Sequence, residues 1–277
     1  MRFGQVLYLA GAFWLVTAGC ANASRNQISN LSSKPAQFAA KPNPVPVIHV
    51  VVALCDNKYQ GIVPVPARIG NGDDLVDNLY WGADYGVKSY FRHRSGWTQL
   101  SSVKNLSPII LERVVFQEKN GPAIMVADAY RGREIKTATS DFVSFAAGAN
   151  PSTLEVKGKR ISIGGGADMV IYVGHDGLMN FQLAKLTSPK DKRKRKVAVL
   201  CCISQQYFGP AIRTAGADPI LWTKSLMAPE AYVVEAATQS FLKKEHGSKA
   251  TERASAAYAK YQHINVKAAR TVFASGF

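Results

Sequence analysis

Short apolar runs rich in Val and Ile recur along this chain, each closed by Gly, Pro or charged residues. Residues 47–54 read Val-Ile-His-Val-Val-Val-Ala-Leu, 169–173 read Met-Val-Ile-Tyr-Val, and 197–200 read Val-Ala-Val-Leu. Unbroken apolarity over this length predicts strands buried on both faces, as in a parallel sheet. Residues 109–116, 122–128 and 219–223 predict further strands, and 157–166 a short strand with a glycine turn. Between these runs the apolar spacing changes to three and four. Leu79, Tyr80, Ala83, Val87 and Phe91 predict a helix over 74–90, and Ile135, Phe142, Phe145 and Ala146 one over 133–147. Helices are also predicted over 205–215, closed by Gly216, over 228–242, with Pro229 in its first turn, and over 254–261. Pro64, Pro66, Gly70 and Gly72 mark a long loop over 61–74, and 243–253 reads as a charged loop. Alternating strands and helices without internal repeats predict an α/β fold. The expected form is a three-layer sandwich around a mostly parallel sheet, one domain over 47–277.

Residues 1–46 follow a different pattern. Arg2 precedes an apolar stretch over 6–18, and Ala21-Asn22-Ala23 fits a small-x-small cleavage site, so 1–23 reads as a signal peptide. Thr17-Ala18-Gly19-Cys20 resembles a bacterial lipoprotein box, which makes Cys20 a lipidation site as the alternative to cleavage after Ala23. Both readings export the protein, to the periplasm, a membrane-anchored state or the exterior. The stretch falls short of the ~20 residues that span a bilayer. Residues 24–46, rich in Ser, Asn, Lys and Pro, read as a flexible linker.

Charge adds one constraint. The chain of 277 residues carries 34 Lys and Arg against 19 Asp and Glu, a net charge of +15, which favours anionic partners. Six of the basic residues fall within 190–196. That run reads as a solvated loop, with an anionic envelope surface or a maturation cleavage site as alternatives. No base-stacking module accompanies it, so nucleic acid is not an expected partner. The five His show no metal-ligand spacing, Gly164-Gly165-Gly166 lacks the ending of a phosphate loop, and no cofactor is implied.

The candidate chemistry sits where two predicted strands end. His175 follows 169–173, and Cys201 and Cys202 follow 197–200. Sites in open α/β sheets form beyond the carboxyl ends of strands, so neighbouring strands would bring an imidazole and a thiol to one rim. A His can take the proton of a nucleophilic thiol and later return it. Cys202, at the turn into a helix, is the expected nucleophile, and Cys201 the in-strand filler. Backbone amides around Gly177 and Cys202 are candidate oxyanion donors. With Cys20 removed, Cys55, Cys201 and Cys202 remain, an odd number that makes no disulfide framework. Adjacent Cys201 and Cys202 also lack the spacer of a redox motif.

A strand ending in His, followed by a strand ending in small-Cys, resembles the caspase-type peptidases. That clan includes caspases, legumains, metacaspases, gingipains and the bacterial CHAT proteases. Residues 215–222, Ala-Gly-Ala-Asp-Pro-Ile-Leu-Trp, and 227–231, Met-Ala-Pro-Glu-Ala, are similar to the segment downstream of the Cys in CHAT domains. Residues 53–59 and 78–84 resemble the first strand and helix, so the likeness covers roughly 47–242. It implies a caspase-like fold, a His175–Cys202 dyad, and a protein or peptide substrate. It departs in one place: Asp176 stands where the clan carries Gly directly after His. Asp56 and Asp168 are candidates for a pocket that takes a basic side chain. The competing reading is a non-catalytic envelope or periplasmic binding protein on the same fold.

Overall fold

The computed structural model describes residues 42–277. The signal segment 1–23, Cys20 and the linker as far as residue 41 lie outside the described residues. The linker's last residues do not hang free. The Asn43 amide donates to the carbonyls of Ser162 (3.1 Å) and Gly166 (2.9 Å), and its Oδ1 accepts from the Ser162 amide.

The main sheet has eight strands. In chain order these are β1 (Val47–Ala53), β2 (Trp97–Lys104), β3 (Ile110–Glu118), β4 (Ile124–Tyr130), β7 (Met169–Val173), β8 (Lys196–Leu200), β9 (Asp218–Thr223) and β10 (Phe273–Ala274). The hairpin β5 (Pro151–Val156) and β6 (Lys159–Gly164) stands apart. Across the sheet the order is β10-β9-β8-β7-β1-β4-β3-β2. Strands β4, β1, β7, β8 and β9 run parallel, and β2, β3 and β10 pair antiparallel at the edges.

The parallel strands are buried on both faces, and their residues alternate between two cores. In β1, Ile48, Val50 and Val52 face one core while Val47, Val51 and Ala53 face the other. The first core is covered by α1 (Val87–His93), α4 (Ala231–Leu242), α5 (Ser248–Gln262) and α6 (Val266–Arg270). The second is covered by α2 (Ile135–Ala146), α3 (Ser204–Ala215) and the β5–β6 hairpin. Helices on both faces of the sheet give three layers.

Three sequence expectations change. The helix expected over 74–90 forms only as α1, because Asn78 is spent as a loop clamp. Its side chain accepts from the Cys55 amide and donates to the carbonyls of Cys55 and Asn71. The backbone also folds tightly on itself there: a Cβ on Gly82 would lie 2.1 Å from the Val76 carbonyl oxygen. The charged loop expected over 243–253 is helical from Ser248 onward. The basic run 190–196 is not a uniformly solvated loop. Arg195 is buried and gives both Nη atoms to Asp191 (2.8 and 2.6 Å), with Nε to the Gly165 carbonyl (2.6 Å).

Candidate functional site

Strands β7 and β8 pair in parallel with Val173 opposite Leu200, and the Gly174 amide extends the ladder to the Leu200 carbonyl. His175 and Cys202 each lie two residues beyond that pair. Neighbouring strands are about 4.8 Å apart, so the two residues emerge side by side at the carboxyl rim.

Each is held by its own turn. After His175 the chain enters a short 3-10 turn, Gly177–Met179, capped by Asp176 Oδ1, which accepts from the Leu178 amide (3.0 Å). The buried Tyr172 hydroxyl donates to the His175 carbonyl (2.9 Å) and ties this turn to β7. Asn180 Oδ1 lies 2.7 Å from His175 Nε2. An amide oxygen only accepts, so this contact puts the proton on Nε2 and leaves Nδ1 free to take one. Sequence reasoning passed over Asn180, because a lone Asn in a loop has no periodic or motif signal.

The turn after Cys202 is more unusual. Ile203 sits in the left-handed region (φ 50°, ψ 33°), which is strained for a β-branched residue. Strain of this kind, of order 1–3 kcal/mol, persists where surrounding contacts over-determine it. Here the Ile203 amide donates to the Ser225 carbonyl (3.0 Å). The buried Ser204 hydroxyl donates to the Val199 carbonyl (2.7 Å), and Thr223 Oγ1 accepts from the Ser204 amide and donates to the Cys201 carbonyl. Two buried hydroxyls thus clamp the elbow that presents Cys202.

Cys202 is half-buried, whereas Cys55 and Cys201 are fully buried. The Cys202 thiol donates to the Met227 carbonyl (3.6 Å). Burial pushes this thiol up from its ordinary value, and the nearby Asp176 adds to the rise. Cys55 is pushed up to about 11, chiefly by burial. In the resting protein these thiols keep their protons at neutral pH.

Asp176 is fully buried, and its Oδ2 has no geometrically good hydrogen bond; the buried Cys201 thiol is the neighbouring polar group. Burial pushes its carboxyl up to about 7, against the lowering effect of the Leu178 and Met179 amides and the Cys201 thiol. The folded value lies above the unfolded one, so the folded state holds the extra proton. Stability is therefore lost as pH rises from about 4 to about 7, by up to about 4 kcal/mol, and stays low above that. Asp176→Asn, which copies the protonated acid, is expected to raise stability by about 2–4 kcal/mol at pH 8 and by little at pH 4. Urea unfolding at the two pH values checks this; an equal effect at both would contradict it.

Three sequence candidates take other roles. Asp168 precedes β7, at the opposite end of the strand from His175. Seven residues of extended chain place it about 23 Å away. Its carboxylate accepts from the Val47 amide (2.9 Å) and pairs with Arg193 (2.6 Å), so it cannot line a pocket at the rim. Asp56 is at the rim but buried. Its Oδ1 accepts from the amides of Lys58 (2.9 Å) and Tyr59 (3.2 Å), and its side chain is packed where a Cβ on Gly72 or Gly132 would stand. It is a turn-forming acid, not a receptor for a basic side chain. The Gly177 amide donates to the His175 carbonyl (3.1 Å), so the His turn itself uses that donor and it is not free for an oxyanion.

No group of three or more His, Cys, Asp or Glu among the described residues could hold a metal ion. Exposed apolar side chains stand on three connections that leave the carboxyl ends of strands: Val63 and Val76 between β1 and α1, Met179 after β7 and Leu226 after β9. A cavity of about 340 Å³ lies between the His turn and α3, lined by Leu178, Phe181, Leu183, Leu186 and Tyr207. Comparison of the chain with protein-family models, with curated proteins and with solved structures finds no match.

Proposed function

We propose that this protein is a caspase-fold cysteine peptidase, or a related acyl-transfer enzyme, with Cys202 as nucleophile and His175 as general base and acid. The observation that carries the reading is the register of β7 on β8, which brings an imidazole and a half-buried thiol out beside each other at one rim. The strained Ile203 next to the thiol supports it. In the reaction the Cys202 thiol leaves the Met227 carbonyl and gives its proton to His175 Nδ1. The sulfur attacks the scissile carbonyl carbon, and the oxygen takes the negative charge. The Cys202 amide, which makes no backbone hydrogen bond among the described residues, is the donor assigned to that oxygen. Collapse to a thioester expels the amine, which takes the proton back from His175, and water then releases the acid. Asn180 is a positioning residue that fixes the ring and its tautomer. The apolar rim fits a peptide with apolar side chains, and neither Asp56 nor Asp168 offers a site for a basic one.

A second reading, a non-catalytic binding protein using the same rim, draws on the raised thiol and its bond to Met227. A peptidyl acyloxymethyl ketone separates the two. The peptidase reading expects saturable labelling of Cys202, slowed about a hundredfold or more in His175→Ala and by less in Asn180→Ala. Slow labelling of Cys202 that is indifferent to His175 would favour the binder.

A further inference from the structure

The excess charge has a place in the fold. The end of the sheet away from His175 and Cys202 gathers three basic segments. The β5–β6 turn exposes Lys157, Lys159 and Arg160, and the loop before β8 exposes Lys190, Lys192 and Lys194. These two segments are joined: Arg195 and Arg193 reach the carbonyls of Gly165 and Gly166, which lead from β6 to β7. The α4–α5 loop, with exposed Lys243 and Lys244, lies beside Lys196 and Asp218, at the starts of β8 and β9. Four acids of this end are already engaged, Asp168 with Arg193, Asp191 with Arg195, Asp218 with Lys196 and Glu245 with Arg253, and the exposed Glu155, across the hairpin from Arg160, is outnumbered by the exposed bases. The exposed lysines therefore present charge that the protein does not neutralise.

The chain also enters the fold here. Pro42 and Pro44 lie against the β5–β6 hairpin beside Arg160, and Asn43 is bonded to Ser162 and Gly166. The residues before them include the apolar stretch 6–18 and Cys20. In sequence, the apolar stretch 6–18 is thus connected to the domain beside its basic face.

We infer that this basic end is a docking surface for an anionic phospholipid membrane, which turns the His175–Cys202 rim away from the bilayer. Lysines near an anionic leaflet each strengthen binding severalfold, and the attraction fades beyond a Debye length. Nucleic acid is the competing polyanion. The chain's entry at Pro42, beside the basic face and downstream in sequence of an apolar stretch, favours the membrane. The inference does not depend on the dyad being active.

The test uses the full chain and vesicles of phosphatidylglycerol or phosphatidylcholine, read by co-sedimentation. The apolar segment contributes to both, so the readout is the ratio of the two partition coefficients. The wild type should prefer phosphatidylglycerol, and the preference should vanish at 1 M salt. K190Q/K192Q/K194Q removes three exposed charges without touching the buried Arg195 network. It should lower the ratio on the order of a hundredfold. The inference is overturned if the wild type shows no preference, or if the triple variant keeps it. It is also overturned if the variant loses retention on DNA or RNA but not on vesicles.

Discussion

If the proposed peptidase chemistry runs through Cys202, Cys202→Ala is expected to reduce peptide hydrolysis by on the order of 10⁴-fold or more, because removing the nucleophile removes the covalent route. The effect should be confined to this thiol. Cys201 continues the alternation of β8 into the second core and is buried with a thiol pushed well up, and Cys55 is buried in the first core beside Tyr80. Cys55→Ala and Cys201→Ala are therefore expected to leave kcat within about threefold and to appear instead as a loss of stability of about 1 kcal/mol each from the packing removed. Steady-state hydrolysis of a peptide library by the three variants, each checked for folding, separates them. Equal loss in all three would mean that the elbow, not the Cys202 sulfur, is what matters. Since the resting thiol is protonated and bonded to Met227, activity should also depend on His175, because no preformed thiolate stands in for proton transfer.

The second large effect lies at the other end of the molecule. Arg195→Ala is expected to cost about 3–5 kcal/mol, the usual cost of removing one partner from a buried ion pair. The truncation leaves the Asp191 carboxylate unpaired and the Gly165 carbonyl without its donor. Arg195→Lys should not restore the loss, because an ammonium cannot reach both Asp191 oxygens and Gly165 together. The cavity is also shaped to the guanidinium. Gly148, at φ 83°, approaches so closely that a Cβ there would lie 2.5 Å from Arg195 Nη1. Asp191 is held below its ordinary value mainly by its hydrogen bonds to Arg195. The pair's contribution is therefore present at neutral pH and is lost as pH falls through the depressed value, so the gap between wild type and Arg195→Ala should narrow in acid. Urea unfolding of both proteins at neutral and acid pH measures it; a gap below about 1 kcal/mol at pH 7 would contradict this account.

The strands that build the site were legible in the sequence for a physical reason. A parallel strand buried on both faces must be apolar without interruption, and residues 169–173 and 197–200 are. Strand β2 was not legible, because it is an edge strand with mostly exposed polar residues and no alternation to read. The helix expected over 74–90 failed because correct spacing at Leu79, Tyr80 and Ala83 says nothing of Asn78 leaving the helix to clamp Cys55. The site was readable only in part. Side chains that end strands could be placed, since strand direction fixes the rim. Asp56 and Asp168 could not be judged, because whether a carboxylate is free depends on amides and guanidinium groups brought in from elsewhere. The same holds for Asn180 and for the burial of Asp176. The charge excess was visible as a number, but its collection at one end follows from the sheet order and the hairpin.

A crystal structure of the protein alkylated at Cys202 by a peptidyl ketone tests the central claim most directly, through the distance from the Cys202 sulfur to the nearest His175 ring nitrogen. The account predicts hydrogen-bonding reach, about 3–4 Å, with Asn180 Oδ1 still on Nε2. A separation of about 10 Å, two strand spacings rather than one, would contradict it.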